Sequence, residues 1–112
     1  MHELEKELIF NLGVLDMYIE SISVDDWFEN ARIVIDNEPC NTVCIFKNCF
    51  EIYLDHDKTY SKGKKKDGNG LNYKYFIQDI GVKEDNGFFE VKISAWPFES
   101  KIVCREFYVD SE

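Results

Sequence analysis

The 112-residue sequence is poor in basic residues and has no long apolar run. It contains 13 lysines and arginines against 22 aspartates and glutamates, a formal charge of −9. Direct binding to nucleic acid or to an anionic membrane usually needs a basic face, so the charge argues against both partners. The apolar runs are a few residues long, whereas a membrane-spanning helix needs about 20.

Signals for export are also missing. Residues 1–7 contain neither the basic region nor the apolar region of a secretory signal, and no Asn-x-Ser/Thr glycosylation site occurs in the chain. We therefore expect a cytoplasmic protein whose four cysteines stay reduced. We also expect no cofactor, because no cofactor-binding motif is present.

The apolar content is sufficient for one folded domain over residues 1–112. Hydrophobic residues make up 45% of the chain and aromatic residues 15%, far above the composition of a disordered protein. A chain of this length buries about 60–70% of the surface that its unfolded form exposes, so it can build a core without a metal or disulfides. No internal repeat or second domain is visible.

The N-terminal pattern predicts an amphipathic helix. Leucines and isoleucines recur at spacings of three and four residues, at Leu4, Leu8, Leu12, Leu15, Ile19 and Ile22. Gly13 interrupts this stripe, since glycine costs a helix interior about 1 kcal/mol relative to alanine. We therefore predict a helix from residue 3 to about residue 12. Residues 17–24 also alternate well enough to form a strand.

From Ala31 onward, short runs of β-branched and aromatic residues separated by turn residues indicate an antiparallel sheet. The predicted strands cover residues 32–35, 42–46, 50–55, 73–83, 88–96 and 101–109. The clearest signal is Asn86-Gly87, which supplies the two positive-φ positions of a type I′ hairpin turn. The predicted fold class is α+β, with the N-terminal helix packed on an antiparallel β-sheet meander of five or six strands.

Residues 57–70 differ from the rest of the chain because they are rich in lysine and glycine and contain little to bury. The segment Gly63-Lys-Lys-Lys-Asp-Gly68 has the opening spacing of a phosphate-binding loop. Asn69 and Gly70 stand where that motif needs Lys followed by Ser or Thr, so we exclude a nucleotide site. The composition predicts a flexible, solvated loop. Whether residues 62–68 contact a partner stays open.

Cys40, Cys44, Cys49 and His56 are the best candidates for a metal site, because thiolates and imidazole suit zinc. Their spacing differs from that of zinc knuckles, and Cys44 falls within a predicted strand, where a free cysteine packs as a small hydrophobe. We therefore predict no metal site, although metal binding by these four residues stays open.

His56 is also the candidate general base, because His2 lies at a terminus that we expect to fray. Cys49 or Ser61 could serve as its nucleophile. Neither residue lies in a Gly-x-Ser-x-Gly elbow or a cysteine-centred catalytic signature, so the sequence predicts a non-catalytic protein.

The acidic residues concentrate in the first half of the chain, where residues 1–57 carry 13 acidic and three basic side chains. Carboxylates along a surface can mimic nucleic-acid phosphates, and a neighbouring aromatic side chain can anchor an interface. Tyr18 and Phe28 lie among these acids. The predicted partner-binding residues are Asp16, Glu20, Asp25, Asp26, Trp27, Glu29, Asp36 and Glu38.

The stretches Tyr-Phe-Ile-Gln-Asp-Ile-Gly at residues 75–81 and Phe-Phe-Glu-Val-Lys-Ile at residues 88–93 resemble small acidic bacterial immunity proteins of polymorphic toxin systems. They also resemble phage-encoded inhibitors of defence nucleases, the anti-CRISPR class. The resemblance implies a stoichiometric, non-catalytic inhibitor that blocks a basic nuclease or another nucleic-acid-binding effector, by nucleic-acid mimicry or by steric occlusion.

Two alternatives remain at this stage. The chain could be a structural or adaptor subunit of an oligomer, with aromatic strand edges pairing between copies. It could also be a small hydrolase that uses His56. As an inhibitor it would act as a monomer or a homodimer.

Overall fold

The computed structural model describes residues 2–25, 27–58 and 75–112. These residues form one N-terminal helical segment and an antiparallel sheet of six strands, which confirms the α+β class. The helical segment consists of α1 (Glu3–Lys6) and a π-helical turn (Glu7–Asn11), and the strands are β1 (Ile19–Val24), β2 (Asn30–Ile35), β3 (Thr42–His56), β4 (Asp79–Asp85), β5 (Phe88–Ala95) and β6 (Phe98–Ser111). The predicted flexible loop at 57–70 lies, from residue 59 onward, outside the described residues.

The N-terminal helix is confirmed, and its last turn is widened. The N–H of Leu12 donates to the Glu7 carbonyl at 2.9 Å, a bond that spans five residues as in a π-helix. Gly13 then adopts a φ of +63°, which is favourable for glycine, and ends the helix. Leu8 and Val14 are fully buried. No helix in the described ranges is long and apolar enough to cross a membrane.

The strands lie in the order β1-β2-β3-β6-β5-β4, and all neighbours are antiparallel. The sheet therefore consists of two three-stranded meanders, β1 to β3 and β4 to β6, joined where β3 pairs with β6. This central ladder runs from Thr42 opposite Ser111 to His56 opposite Phe98. In the predicted simple meander each strand would pair with the next one along the chain. The structure departs from that order at this junction, where β3 pairs with β6 instead of β4.

The prediction of two strands at 42–46 and 50–55 with a turn between them was wrong, because β3 is one continuous strand. Asn48 has a φ of +55°, and a bulge shifts the register between Cys49 and Glu51. These two irregularities break the alternation of inward and outward side chains. The strand continues because β6 pairs with it on both sides of the irregularity.

The hairpin at Asn86-Gly87 is confirmed, with both residues at positive φ, 52° and 81°. Its second strand buries Val91, Ile93 and Ala95 on one face, as its alternation predicts. The last strand begins at Phe98, directly after the Pro97 that ends the preceding turn, rather than at residue 101. The strand predicted from residue 73 begins at residue 79, and its first two residues lie outside the described ranges.

Residues 75–78 connect the two meanders on the side opposite the β3–β6 ladder. The Tyr75 carbonyl accepts the N–H of Ile19 at 2.9 Å, and the Tyr75 N–H donates to the Trp96 carbonyl at 2.8 Å. Ile77, in the same segment, is fully buried. The sheet is therefore curled, with its concave face closed around the core.

The core lies between this concave face and the N-terminal helical segment. Phe46 and Phe107, opposite each other on the two central strands, stack with ring centroids 5.0 Å apart. Each fully buried side chain of this size stabilises the fold by about 1.5–3 kcal/mol. The buried core residues are Leu8, Val14, Ile19, Ala31, Ile33, Ile35, Cys44, Phe46, Ile77, Ile80, Val82, Val91, Ile93, Ala95, Phe98, Ile102, Cys104 and Phe107.

Replacing Phe46 by alanine should lower the free energy of unfolding by about 3–5 kcal/mol, because the change leaves a cavity between the central strands. Phe50→Ala is the matched control, because it removes the same atoms from the same strand but at a side chain that is 65% exposed. It should cost less than about 1 kcal/mol. Urea unfolding of both variants tests this; equal losses would contradict the placement of the core.

Candidate functional site

The structure separates the predicted partner-binding residues into two groups at opposite ends of the β1–β2 hairpin. Asp25, Trp27 and Glu29 lie in the connection between the strands, here called the hairpin tip (residues 25–29). Asp16, Glu20, Asp36 and Glu38 lie toward the other end, here called the hairpin base. Along β1, Glu20 and Asp25 are separated by about 17 Å of extended chain. Asp26 lies outside the described residues.

Asp25 holds the hairpin tip in place. Its Oδ1 atom accepts the Glu29 N–H at 2.9 Å, and its Oδ2 atom accepts the Asn30 side-chain amide at 2.6 Å. The backbone adds two bonds, from the Asp25 N–H to the Asn30 carbonyl and from the Phe28 N–H to the Asp25 carbonyl, each 3.1 Å. The side chain of Asp25 thus caps the connection between β1 and β2.

These contacts lower the pKa of the Asp25 carboxyl group. Desolvation raises the pKa of its carboxyl group, but hydrogen bonds from the Asn30 side chain and from backbone N–H groups of the turn outweigh this effect. The pKa therefore lies below its ordinary value. The hairpin tip carries a fixed negative charge beside the exposed carboxylate of Glu29.

Two large aromatic side chains project from this tip. Trp27 is 83% exposed and Phe28 is 67% exposed, and Phe28 adopts a φ of +58°. The tip is also tied to β3, because the Glu29 carbonyl accepts the Cys49 N–H at 2.7 Å. Both rings are therefore exposed on a tip whose backbone is restrained by hydrogen bonds at Asp25, Phe28 and Glu29.

The hairpin base is a second acidic region with its own polar contacts. The hydrogen bond to Asp36 is the largest of the effects that raise the pKa of Tyr18, with the charges of Asp36 and Glu20 adding to it. Asn41 donates to the Glu20 carboxylate at 2.9 Å. Asp16, at a φ of +72°, and Glu38 are exposed. The two acidic groups therefore do not form one continuous row.

His56 is half-buried at the end of β3. Its Nε2 atom lies 2.8 Å from the Tyr75 hydroxyl, and its Nδ1 atom lies 3.2 Å from the Asp57 carbonyl. Cys49 is seven residues away along the strand, about 23 Å in extended chain, so it cannot serve as a nucleophile for this imidazole. Ser61 lies outside the described residues.

His2 does not fray, contrary to the expectation from its position. Its Nδ1 atom accepts the Leu4 N–H at 3.0 Å and caps the helix. Its Nε2 atom lies 2.9 Å from the Glu84 carboxylate on β4, and its ring packs edge-on against Phe89. The residue fastens the N-terminus to the sheet.

The four cysteines are free and are distributed along the sheet. Cys40 is exposed in the β2–β3 connection, whereas burial raises the pKa of Cys44 and of Cys104 to about 12. Burial also raises the pKa of Cys49, which lies opposite Cys104 in the β3–β6 ladder. Within residues 2–25, 27–58 and 75–112, no three His, Cys, Asp or Glu side chains are grouped as metal ligands.

Sequence reasoning missed an aromatic cluster across three strands of the sheet. The rings of Phe50 and Phe88 meet edge to face at 5.2 Å, and the Arg105 guanidinium lies 4.7 Å from the Phe88 ring centroid and 5.7 Å from that of Phe50. The contact depends on the pairing of β3 with β6, which no local pattern reveals.

Comparison with known proteins agrees with this architecture. A crystal structure of an uncharacterized protein from Neisseria gonorrhoeae is similar to 86% of this chain and 91% of its own, with a TM-score of 0.63 and 14% sequence identity, which shows a shared fold. No curated protein matches the chain. The model of a family described as Immunity protein PIM7 matches residues 2–111, nearly the whole sequence. The chain therefore belongs to the immunity protein PIM7 family.

Proposed function

We propose that this protein neutralises a basic, nucleic-acid-acting toxin by forming a stoichiometric complex in which the hairpin tip blocks the path of the substrate. Membership of an immunity protein family supports an inhibitor of a toxin. The nuclease target and the mode of inhibition are our inference from charge and geometry. The inhibitor acts without catalysis, and the free thiols support action in a reducing, cytoplasmic compartment.

The observation that carries the proposal is the presentation of Trp27 and Phe28. Adjacent exposed aromatic side chains are characteristic of interaction sites rather than of ordinary monomer surface. Tryptophan and other aromatic residues supply much of the binding energy at interfaces, most effectively when they are held in place before binding. The hydrogen bonds of Asp25 and Glu29 provide that restraint.

The charge of the chain determines which partner fits. A net charge of −9 attracts a basic protein and accelerates its association. Toxins that act on nucleic acid need basic substrate channels, because these channels bind phosphates. An aromatic tip flanked by the carboxylates of Asp25 and Glu29 is complementary to the mouth of such a channel.

The arrangement of the acids favours steric occlusion over close mimicry of a phosphate backbone. One strand of duplex DNA presents a phosphate about every 3.4 Å along the axis. The carboxylates of Glu20 and Asp25 are separated by Ser21–Val24, which carry no charge. The acids therefore steer the partner, and the tip fills the channel.

Trp27→Ala should weaken binding to the cognate toxin by about 30-fold or more, because an interface anchor contributes about 2 kcal/mol or more. Isothermal titration calorimetry against an inactive toxin variant measures the affinity. Phe10→Ala is the matched control, since Phe10 is an aromatic residue that is 69% exposed on the helical segment. Equal affinities of the two variants would contradict the role of the tip.

The combined variant Asp16→Asn, Glu20→Gln, Glu29→Gln should associate more slowly with the toxin and show a weaker salt dependence, because steering depends on the local field. The control is Asp79→Asn, Asp85→Asn, Asp110→Asn, which removes the same charge from exposed positions in the second half of the chain. Stopped-flow association at several salt concentrations compares them. Identical rates for both sets would refute a directed electrostatic surface.

A further inference from the structure

Two aromatic rings and one arginine, here called the arginine cluster (Phe50, Phe88 and Arg105), lie on the face of the sheet opposite the core. Cys104 is buried in the core, so the next residue, Arg105, points to the other face, because side chains alternate along a strand. Its guanidinium carbon lies 4.7 Å from the Phe88 ring centroid and 5.7 Å from that of Phe50. Arg105 and Phe50 are exposed, and Phe88 is half-buried.

The arginine cluster adjoins the hairpin tip. The Glu29 carbonyl accepts the N–H of Cys49, the residue directly before Phe50. The described chain stops at residue 58 and resumes at Tyr75, whose hydroxyl lies 2.8 Å from His56 at the far end of β3. That end is about 20 Å from Phe50 in extended chain. The hairpin tip and the cluster are therefore neighbouring parts of the opposite end of the sheet.

The carboxylates around the cluster are already engaged within the molecule. Glu51 and Glu90 each lie 3.4 Å from the Lys101 ammonium group. Glu106 accepts hydrogen bonds from two neighbouring side chains. Within the described part of the chain, no carboxylate forms an ion pair with Arg105. These residues therefore supply its guanidinium with aromatic contacts but with no anion.

The chemistry of this arrangement fits a carboxylate. A guanidinium presents its N–H donors in a planar fork that matches the two oxygens of a carboxylate, and contact with an aromatic face leaves the edge of the fork free. The rings also restrict the rotamers of the arginine, which lowers the entropy lost on binding. Arginine and aromatic residues are enriched among the side chains that anchor protein interfaces.

We propose that the arginine cluster binds an acidic side chain of the toxin, beside the channel that receives the hairpin tip. This inference rests on the proposed function and names the contact that sets the register of the complex. The net charge of −9 attracts any basic surface, so it does not distinguish among basic partners. A cation on an acidic protein that meets a carboxylate on a basic one fixes the orientation, because other dockings place each charge against a surface of its own sign.

Two other occupants fit the cluster less well. A nucleic-acid base stacks on an open ring face, but the Arg105 guanidinium lies over the Phe88 ring, and the charge of the chain repels phosphates. A two-fold interface between copies of the chain, centred on Arg105, would bring two guanidinium groups together. An acidic side chain on a basic protein meets neither obstacle.

Arg105→Gln tests this inference, and Arg32→Gln is its matched control. Arg32 and Arg105 are the two arginines of the chain, so each substitution changes the net charge equally. Arg32 pairs with Glu112 within the molecule, so the inference assigns it no carboxylate of the toxin. We expect Arg105→Gln to bind an inactive variant of the cognate toxin about 30-fold or more weakly than Arg32→Gln, through faster dissociation. Surface plasmon resonance measures both rate constants.

Arg105→Lys separates the planar fork from the charge. Lysine keeps the positive charge but lacks the fork that binds a carboxylate through two parallel hydrogen bonds. We expect this variant to bind more tightly than Arg105→Gln and more weakly than the wild-type protein. Urea unfolding should show all three variants folded.

Arginine side-chain NMR on the wild-type protein tests the contact without a substitution. Two hydrogen bonds to a carboxylate slow the rotation of a guanidinium group and the exchange of its protons with water. In the toxin complex, the Arg105 Nε–H signal should therefore shift and its proton exchange should slow. The signal of Arg32, which already pairs with Glu112, is the internal reference.

The outcomes separate this inference from the proposed function. Equal affinities of Arg105→Gln and Arg32→Gln, or an Arg105 signal that is unchanged in the complex, would overturn the carboxylate contact while leaving toxin binding intact. Absence of toxin binding by the wild-type protein would overturn both. A homodimer in sedimentation velocity, or binding of a single-stranded oligonucleotide, that Arg105→Gln abolishes would assign the cluster to another occupant and overturn the proposal.

Discussion

The antiparallel ladder between β3 and β6 is the interaction on which the rest of the structure depends. Each strand belongs to a different three-stranded meander, and their pairing joins the two into one sheet. The register of the ladder sets which side chains face the core, because a shift by one residue would turn every side chain to the other face. The stacked rings of Phe46 and Phe107 require this register.

The helical segment and the hairpin tip lie toward opposite edges of the sheet. The helical segment lies against β4, and Glu5 satisfies a backbone donor there. Toward the other edge of the sheet, the tip between β1 and β2 leaves Trp27 and Phe28 exposed. In our account this tip is the surface that contacts the toxin, and the acidic residues of the β1–β2 hairpin favour a basic partner.

Local patterns in the sequence were sufficient for the elements whose structure is decided locally. The helix, the Asn86-Gly87 hairpin and the buried face of β5 followed from periodicity and turn chemistry. The continuity of β3 did not, because the bulge after Asn48 is held by pairing with a distant strand: Cys49 lies opposite Cys104, 55 residues further along the chain. The contact between the helix-capping His2 and Glu84 could not be predicted either, because these residues are far apart in the sequence.

The candidate site was predictable in composition but not in arrangement. Acidic residues and Trp27 could be selected from charge and aromatic content, but their separation into a tip and a base depends on where β1 and β2 begin and end. The aromatic cluster of Phe50, Phe88 and Arg105 depends on contacts among three strands. Side chains that are distant in sequence come together only through the sheet.

A crystal structure of the complex with the cognate toxin tests the central claim most directly. The account predicts a one-to-one complex in which Trp27 and Phe28 are buried in a basic channel of the toxin. A complex in which the toxin covers the cluster of Phe50, Phe88 and Arg105 and leaves the β1–β2 hairpin in solvent would contradict it.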